Sequence, residues 1–247
     1  MPPATLTDFP ELKTRPPHQL DAETRSPDWH TLFQVAGVSA LAVVALIPIQ
    51  GLMYILWPPP TTVLEYFSVF HGNPLLGFLD LDLLLVVDQL LIVVVLLALY
   101  VALRRVDASL MLIGAAAGLL GATLMIISRE ATLDMFSLSQ QFALASSAED
   151  RAALEAAGQT LLTVYNGSAF SLGYFLTGLA MLLTSTVMLR SGLFSRLAGV
   201  CGVAAGVTGL VPASMGTLGF ALSFVSLLPL IVWLFVVGQR LRQLSSS

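Results

Sequence analysis

The chain has 247 residues, of which 56% are hydrophobic and 11% are charged, and its formal net charge is −4. A soluble globular domain carries roughly 25% charged residues, so this composition excludes an ordinary water-facing surface and indicates a polytopic membrane protein. The acidic balance argues against nucleic acid as a partner. A single cysteine excludes an intramolecular disulfide and a thiolate metal cluster.

Residues 1–30 precede the first apolar segment and contain five acidic residues and six prolines. They lack the apolar stretch of a cleavable signal peptide. This composition predicts a disordered cytoplasmic tail. Trp29 and His30 are expected to mark the point where the tail meets the membrane surface.

Six apolar segments then follow, and a membrane-spanning helix needs about 20 such residues. They lie at 31–57, 75–103, 107–128, 160–189, 197–213 and 217–238. The predicted fold class is therefore all-α, a polytopic bundle of six transmembrane helices within residues 31–244. Residues 245–247 are expected to be a frayed tail.

Residues 61–72 predict a short amphipathic helix in the outer membrane interface. Thr62 and Glu65 have the spacing of a capping box. Apolar side chains that share one helical face follow, namely Val63, Leu64, Phe67 and Phe70.

The longest connection, residues 129–158, is too polar to span a membrane and is predicted to be an outer loop. Ser146 and Glu149 again have capping-box spacing, which indicates that a helix forms in the second half of this loop.

The basic residues fall mainly on one side when the segments are laid alternately across a bilayer. Only Arg129 and Arg151 lie on the second side, whereas nine lie on the first: Lys13, Arg15, Arg25, Arg104, Arg105, Arg190, Arg196, Arg240 and Arg242. The positive-inside rule then predicts that both termini are cytoplasmic.

Small residues recur at helical spacing in three segments, which lets helix backbones approach closely in lipid. The stripes are Gly114, Gly118 and Gly121 in segment three, Ala169, Gly173 and Thr177 in segment four, and Gly199, Gly202, Gly206 and Gly209 in segment five. They predict close static packing between these segments.

The principal candidate ligand or proton residues are Asp80, Asp82, Asp88 and Gln89, all in segment two. Acids in the hydrocarbon are costly and therefore face protein or water. If segment two starts at Leu75, Asp88 lies near the midplane, and the polar residues fall on two faces of a central helix. One interpretation is a proton relay or cation site, and the other is structural hydrogen bonding to neighbouring helices.

Tyr165, Asn166 and Arg129 form a secondary outer cluster of candidates. A pocket shared with Asp80 is one interpretation, and interfacial anchoring by Tyr165 is another. Arg129 is expected to pair either with Asp80 or Asp82, or locally with Glu130 or Asp134.

The sequence lacks the residues that several kinds of membrane-protein chemistry require. No segment contains lysine, which excludes a retinal Schiff base, and no histidine lies in mid-membrane to ligate haem. We therefore predict no cofactor and no metal site, and the sequence favours an activity other than catalysis.

Three function classes stay open. The first is a small transporter or a solute- or ion-binding protein that uses the acids of segment two. The second is an accessory or scaffold subunit of a larger membrane complex, and the third is a lipid- or stress-responsive membrane protein. The expected partners are the lipid bilayer and either a membrane protein or a second copy of the chain.

Five stretches carry a resemblance to a known family: LLGFLDLDLLLVVDQLL at 75–91, FSLSQQF at 136–142, AAGQTLL at 156–162, YNGSAF at 165–170 and MLRSGLFSR at 188–196. The chain after Thr31 resembles bacterial six-helix membrane proteins grouped as domain of unknown function 4386. The resemblance implies a single six-helix domain in the bacterial cytoplasmic membrane. It implies no activity, cofactor or catalytic residue.

Overall fold

The structure is a computed structural model that describes residues 27–58, 60–78, 84–165 and 167–246. A single 3-10 turn, Pro27–Trp29, precedes the α-helices of this part of the chain. These are α1 His30–Leu56, α2 Val63–Gly72, α3 Pro74–Phe78, α4 Leu84–Leu103, α5 Ala108–Leu144, α6 Ala148–Tyr165, α7 Ser168–Ser191, α8 Arg196–Thr208 and α9 Gly216–Ser245. Of the predicted tail 1–30, residues 1–26 lie outside the described residues.

Five helical stretches of the described chain are long and apolar enough to cross a membrane, namely α1, α4, α5, α9 and the stretch Ala148–Ser191 that contains α6 and α7. The sixth apolar helix, α8, has 13 residues. Leu112 and Leu228 are among the large apolar side chains exposed on the bundle surface, where lipid would cover them. The protein is an all-α, multi-pass membrane protein, which confirms this part of the predicted fold class, whereas the count of six transmembrane helices stays a prediction.

The described chain begins and ends at the same end of the bundle, which we term the basic end. Arg104 lies 5.7 Å from the ring centroid of Trp29, and Arg240 donates to the carbonyl of Leu193 at 2.8 Å. Asp107 caps the start of α5 and lies 3.9 Å from Arg190. The largest cluster of buried apolar residues fills the half of the bundle next to this end.

The glycine stripes lie at helix contacts, as their spacing predicts. A Cβ atom at Gly121 of α5 would lie 2.9 Å from the carbonyl oxygen of Gly173 in α7. A Cβ atom at Gly206 of α8 would lie 2.7 Å from the backbone nitrogen of Leu182 in α7. Helices α5, α7 and α8 therefore pack backbone against backbone.

The opposite, distal end of the bundle carries a cap that extends beyond the spanning region. Helix α5 has 37 residues, so it is about 55 Å long against a hydrocarbon core of about 30 Å. Its distal part and α6 occupy the stretch predicted to be an outer loop at 129–158. The helix continues past its charged residues because the sequence contains neither glycine nor proline from 122 to 157.

Helix α2 belongs to this cap and packs on α5 and α6. Its capping box between Thr62 and Glu65 is present. Three of the four predicted apolar residues are buried together with Tyr66, whereas Leu64 is exposed. Backbone N–H groups of Thr61 and then Thr62 donate to the Glu65 carboxylate, and these bonds lower the pKa of Glu65.

Helix boundaries differ from the predicted segments at several places. Segment two contains two helices, α3 and α4, and the residues 79–83 between them lie outside the described residues. The helix start predicted at Ser146 is shifted, because the hydroxyl of Ser147 accepts from the backbone N–H of Asp150 and α6 begins at Ala148.

The last two segments also differ in length. Segment five is shorter than predicted because its helix ends at Thr208, before Gly209 and Pro212. Segment six is longer and includes Ser245, which the sequence places in the tail.

Candidate functional site

Asp88 lies in the second turn of α4, at the contact with α1. Its side chain is buried, with 7% exposed, and Gln50 of α1 donates a hydrogen bond to its Oδ2 atom. Its Oδ1 atom has no hydrogen-bond partner among the described residues. Asp88 is about 22 Å from Leu103 along the helix. Its position near the membrane midplane stays a prediction.

Gln89 points away from that contact, because successive helical residues diverge by about 100°. It lines a cavity of about 160 Å³ inside the bundle. The side chain is 8% exposed, and its Oε1 atom has no hydrogen-bond partner in the described part of the chain. Helix α4 therefore has two polar faces, one toward α1 and one toward the cavity.

The cavity lies between the helices of the bundle and is bounded by four other helices besides α4. Helix α5 contributes Met125, and α7 contributes Tyr174, Thr177, Gly178 and Met181. Helix α8 contributes Ala205 and its C-cap residue Gly209, and α9 contributes Ser226, Leu230, Trp233 and Leu234. Gln89, Ile92 and Leu96 complete it from α4. Along α4, the cavity extends from Leu96, about 10 Å from the basic end of the helix, to Gln89, about 21 Å from that end.

Most of the cavity wall is apolar, and its polar groups are few. They are the amide of Gln89 and the hydroxyls of Tyr174, Thr177 and Ser226. The indole of Trp233 adds a wall, while its Nε1 atom lies close to Gly202 of α8 and has no partner among the described residues. None of the described residues that line the cavity carries a formal charge.

The end of α8 lies beside the cavity. A Cβ atom at Gly178 would lie 2.6 Å from the carbonyl carbon of Gly209, so the C-cap of α8 packs against the middle of α7. The chain then runs without α-helix to Met215, and Ser214 hydrogen-bonds Ser171 at 2.8 Å. Non-helical backbone within a membrane is tolerated where it is buried in protein or lines a cavity. Gly209 lines the cavity and Pro212 is buried, whereas Ser214 and Met215 are exposed.

Arg129 and Tyr165 of the secondary cluster are in direct contact. The Cζ atom of Arg129 lies 3.8 Å from the ring centroid of Tyr165 and 4.7 Å from that of Phe170. The Arg129 Nη2 atom donates to the carbonyl of Tyr165 at 3.1 Å. A cation at the carboxyl end of a helix is favourable, so this buried guanidinium ties the end of α6 to α5.

Three of the predicted site residues, Asp80, Asp82 and Asn166, lie outside the described residues. Their pairing with Arg129 or Tyr165 therefore stays a prediction. Arg129 itself lies away from the cavity, at the junction of the bundle with the distal cap.

Sequence reasoning missed most of the cavity residues. Tyr174, Thr177, Ser226 and Trp233 of the cavity come from α7 and α9, and Gln50, which binds Asp88, comes from α1. Each stands alone among apolar neighbours. A pattern within one segment cannot identify them, because only the packing of the helices brings them together. The one available signal is that each is a polar or amphipathic residue within a span.

Comparison with known protein families identifies a family for this chain. The family described as Domain of unknown function (DUF4386) matches residues 35–241, which covers α1 to α9. No curated protein and no solved structure matches the chain. The family description names no activity or ligand. Since the match spans most of the sequence, the chain belongs to the DUF4386 family.

Proposed function

We propose that this protein is a small transporter or solute-binding protein of the membrane, and that its solute occupies the cavity beside Gln89. The observation that carries the proposal is the combination of an apolar wall with a buried amide oxygen at Gln89 that has no hydrogen-bond partner in the described part of the chain. Small-molecule sites in proteins are concave and mainly apolar, with a few polar groups that fix orientation.

The size of the cavity limits the solute. Its volume is about 160 Å³, and a cavity of about 150 Å³ in an apolar protein core holds a molecule the size of benzene. The proposed solute is therefore a small, mainly apolar molecule of roughly ten heavy atoms or fewer.

Asp88 supplies the ionisable group of the proposal. It lies on the same turn of α4 as Gln89 but faces α1, where Gln50 binds it. A movement of α4 that follows solute binding at Gln89 would change the surroundings of Asp88. Pro48 of α1 and Pro229 of α9 interrupt the hydrogen bonding of two neighbouring helices, which makes bending at those points easier.

The proposed setting is the bacterial cytoplasmic membrane, with six crossings and both termini in the cytoplasm. The basic end supports this orientation, since Arg104, Arg190 and Arg240 all lie there. The sixth crossing consists of α8 and the non-helical residues that follow it. A homo-oligomer or a membrane-protein partner is compatible with this arrangement.

Filling the cavity tests the proposal. Ser226→Leu places a larger side chain in the cavity, and Ala221→Leu makes the equivalent change at an exposed position of α9. With toluene or phenol at about one hundred times its Kd, the wild-type protein should gain about 2.7 kcal/mol of stability. That gain raises the thermal unfolding midpoint by about 5–11 °C.

The expected pattern is a ligand-induced rise for the wild type and for Ala221→Leu, with none for Ser226→Leu. An equal response in all three proteins would place the probes in lipid or detergent and reject the cavity as a solute site. The midpoint without ligand, measured for each variant, shows whether Ser226→Leu has damaged the fold.

A further inference from the structure

The hydroxyl groups that line the cavity already donate hydrogen bonds to other atoms of the protein. Thr177 donates to the carbonyl of Gly173 at 2.9 Å, and Ser226 donates to that of Ser223 at 2.6 Å. A carbonyl oxygen only accepts, so these two directions are fixed. Each hydroxyl oxygen keeps lone pairs for a further hydrogen bond, but has no proton to offer.

The Tyr174 hydroxyl is also a donor, because its neighbour Ser223 has no free proton. Ser223 donates to the carbonyl of Gly219 at 2.8 Å, which uses its proton. The contact of 2.9 Å between the hydroxyls of Tyr174 and Ser223 must then have Tyr174 as the donor. The cavity thus offers three acceptor hydroxyl oxygens, together with the Oε1 atom of Gln89, which has no partner among the described residues. The amide nitrogen of Gln89 is a donor, so acceptor oxygens outnumber donor side chains on the lining.

We infer that the solute of this cavity is a small neutral molecule that carries a hydroxyl donor, such as a phenol or a short-chain alcohol. This inference rests on the proposed function, because it assumes that the cavity is a solute site. A hydroxyl proton meets the acceptor oxygens, and the apolar remainder contacts residues such as Ile92, Met125 and Leu230.

Other solute classes fit this wall poorly. A carboxylate or phosphate would face acceptor oxygens without a cation among the described lining residues. An ammonium group would be buried without a carboxylate partner among them, which is costly in an apolar site. A ketone or ether can accept only from the amide nitrogen of Gln89 and leaves Oε1 and the hydroxyl oxygens without a donor, and a hydrocarbon leaves Gln89 unbonded.

Calorimetric titration in nanodiscs with three ring compounds tests the inference. Phenol and toluene differ only by a hydroxyl in place of a methyl group, and benzoate adds a charge. The Ser226→Leu variant, with its cavity filled, serves as the blank for partition into lipid. The wild type should bind phenol at least tenfold more tightly than toluene, and benzoate should give no heat above the blank.

Gln89→Met removes the amide, with its acceptor oxygen and its donor nitrogen, while it keeps an unbranched side chain. Leu90→Met is the matched change at an exposed position of α4. Gln89→Met should weaken the binding of phenol about tenfold and leave the affinity for toluene unchanged, whereas Leu90→Met should change neither affinity.

The outcomes separate the two proposals. If phenol and toluene bind equally to the wild type, or if benzoate binds best, the hydroxyl inference is overturned and the cavity remains a solute site. If no compound gives heat above the Ser226→Leu blank, the proposed function fails and this inference fails with it.

Discussion

Gly121→Leu is expected to lower the free energy of unfolding by about 3 kcal/mol or more, because it separates α5 from α7. A Cβ atom at Gly121 would lie 2.7 Å from the hydroxyl of Thr177, and 2.9 Å from both the Thr177 nitrogen and the Gly173 carbonyl oxygen. Two of these three atoms belong to the backbone, so a rotamer change cannot relieve the contact. Helix α7 would have to move away as a whole.

Gly51→Leu is the matched control, since a Cβ atom at Gly51 of α1 meets no atom within 4 Å. Leucine is also the better helix former, so this variant should be as stable as the wild type or slightly more stable. Thermal unfolding in detergent measures both, and the expected fall for Gly121→Leu is about 6–12 °C. A fall of similar size in both variants would show that the loss does not come from the contact between α5 and α7.

Asp88→Asn is expected to abolish proton exchange with solvent during solute binding while the protein stays folded. The asparagine side chain has nearly the shape of aspartate, and its amide oxygen can accept the bond from Gln50. It cannot take up or release a proton. Asp88→Leu has no acceptor and leaves the Gln50 amide without this bond, so it should lose about 1–3 kcal/mol of stability.

Titration of phenol into the protein in buffers of different ionisation enthalpy counts the protons exchanged on binding. The wild type should exchange a measurable fraction of a proton per chain, and Asp88→Asn should exchange none while its affinity changes little. An unchanged proton count in Asp88→Asn would assign the exchange to another group. An Asp88→Asn protein that does not fold would show that Asp88 has a structural role only.

The sequence predicts the all-α membrane fold and the glycine contacts because both depend on properties of single segments. Apolar length identifies a span, and spacing identifies a stripe such as Gly114, Gly118 and Gly121. The end of helix α5 was harder to predict. Arg129, Glu130 and Asp134 suggested a loop, whereas the absence of glycine and proline up to 157 was the signal that the helix continues beyond the hydrocarbon.

The candidate site could be predicted only in part. Asp88 and Gln89 stand out because polar side chains are expensive in a span. The residues around them do not. Gln50, which binds Asp88, and Ser226 and Trp233, which line the cavity with Gln89, lie far apart in the sequence, and each has its own apolar surroundings. The separation of Asp88 from the cavity also depends on how α4 packs between its neighbours, which no pattern within one segment specifies.

The most direct test of a solute site in the bundle is native mass spectrometry of the protein, extracted in mild detergent from the membrane in which it was made. The wild type and Ala221→Leu should retain a bound small molecule, and Ser226→Leu should not. The account would be contradicted if all three proteins had the same set of masses. A second protein bound at fixed stoichiometry, with no small molecule, would instead favour a subunit of a larger membrane complex.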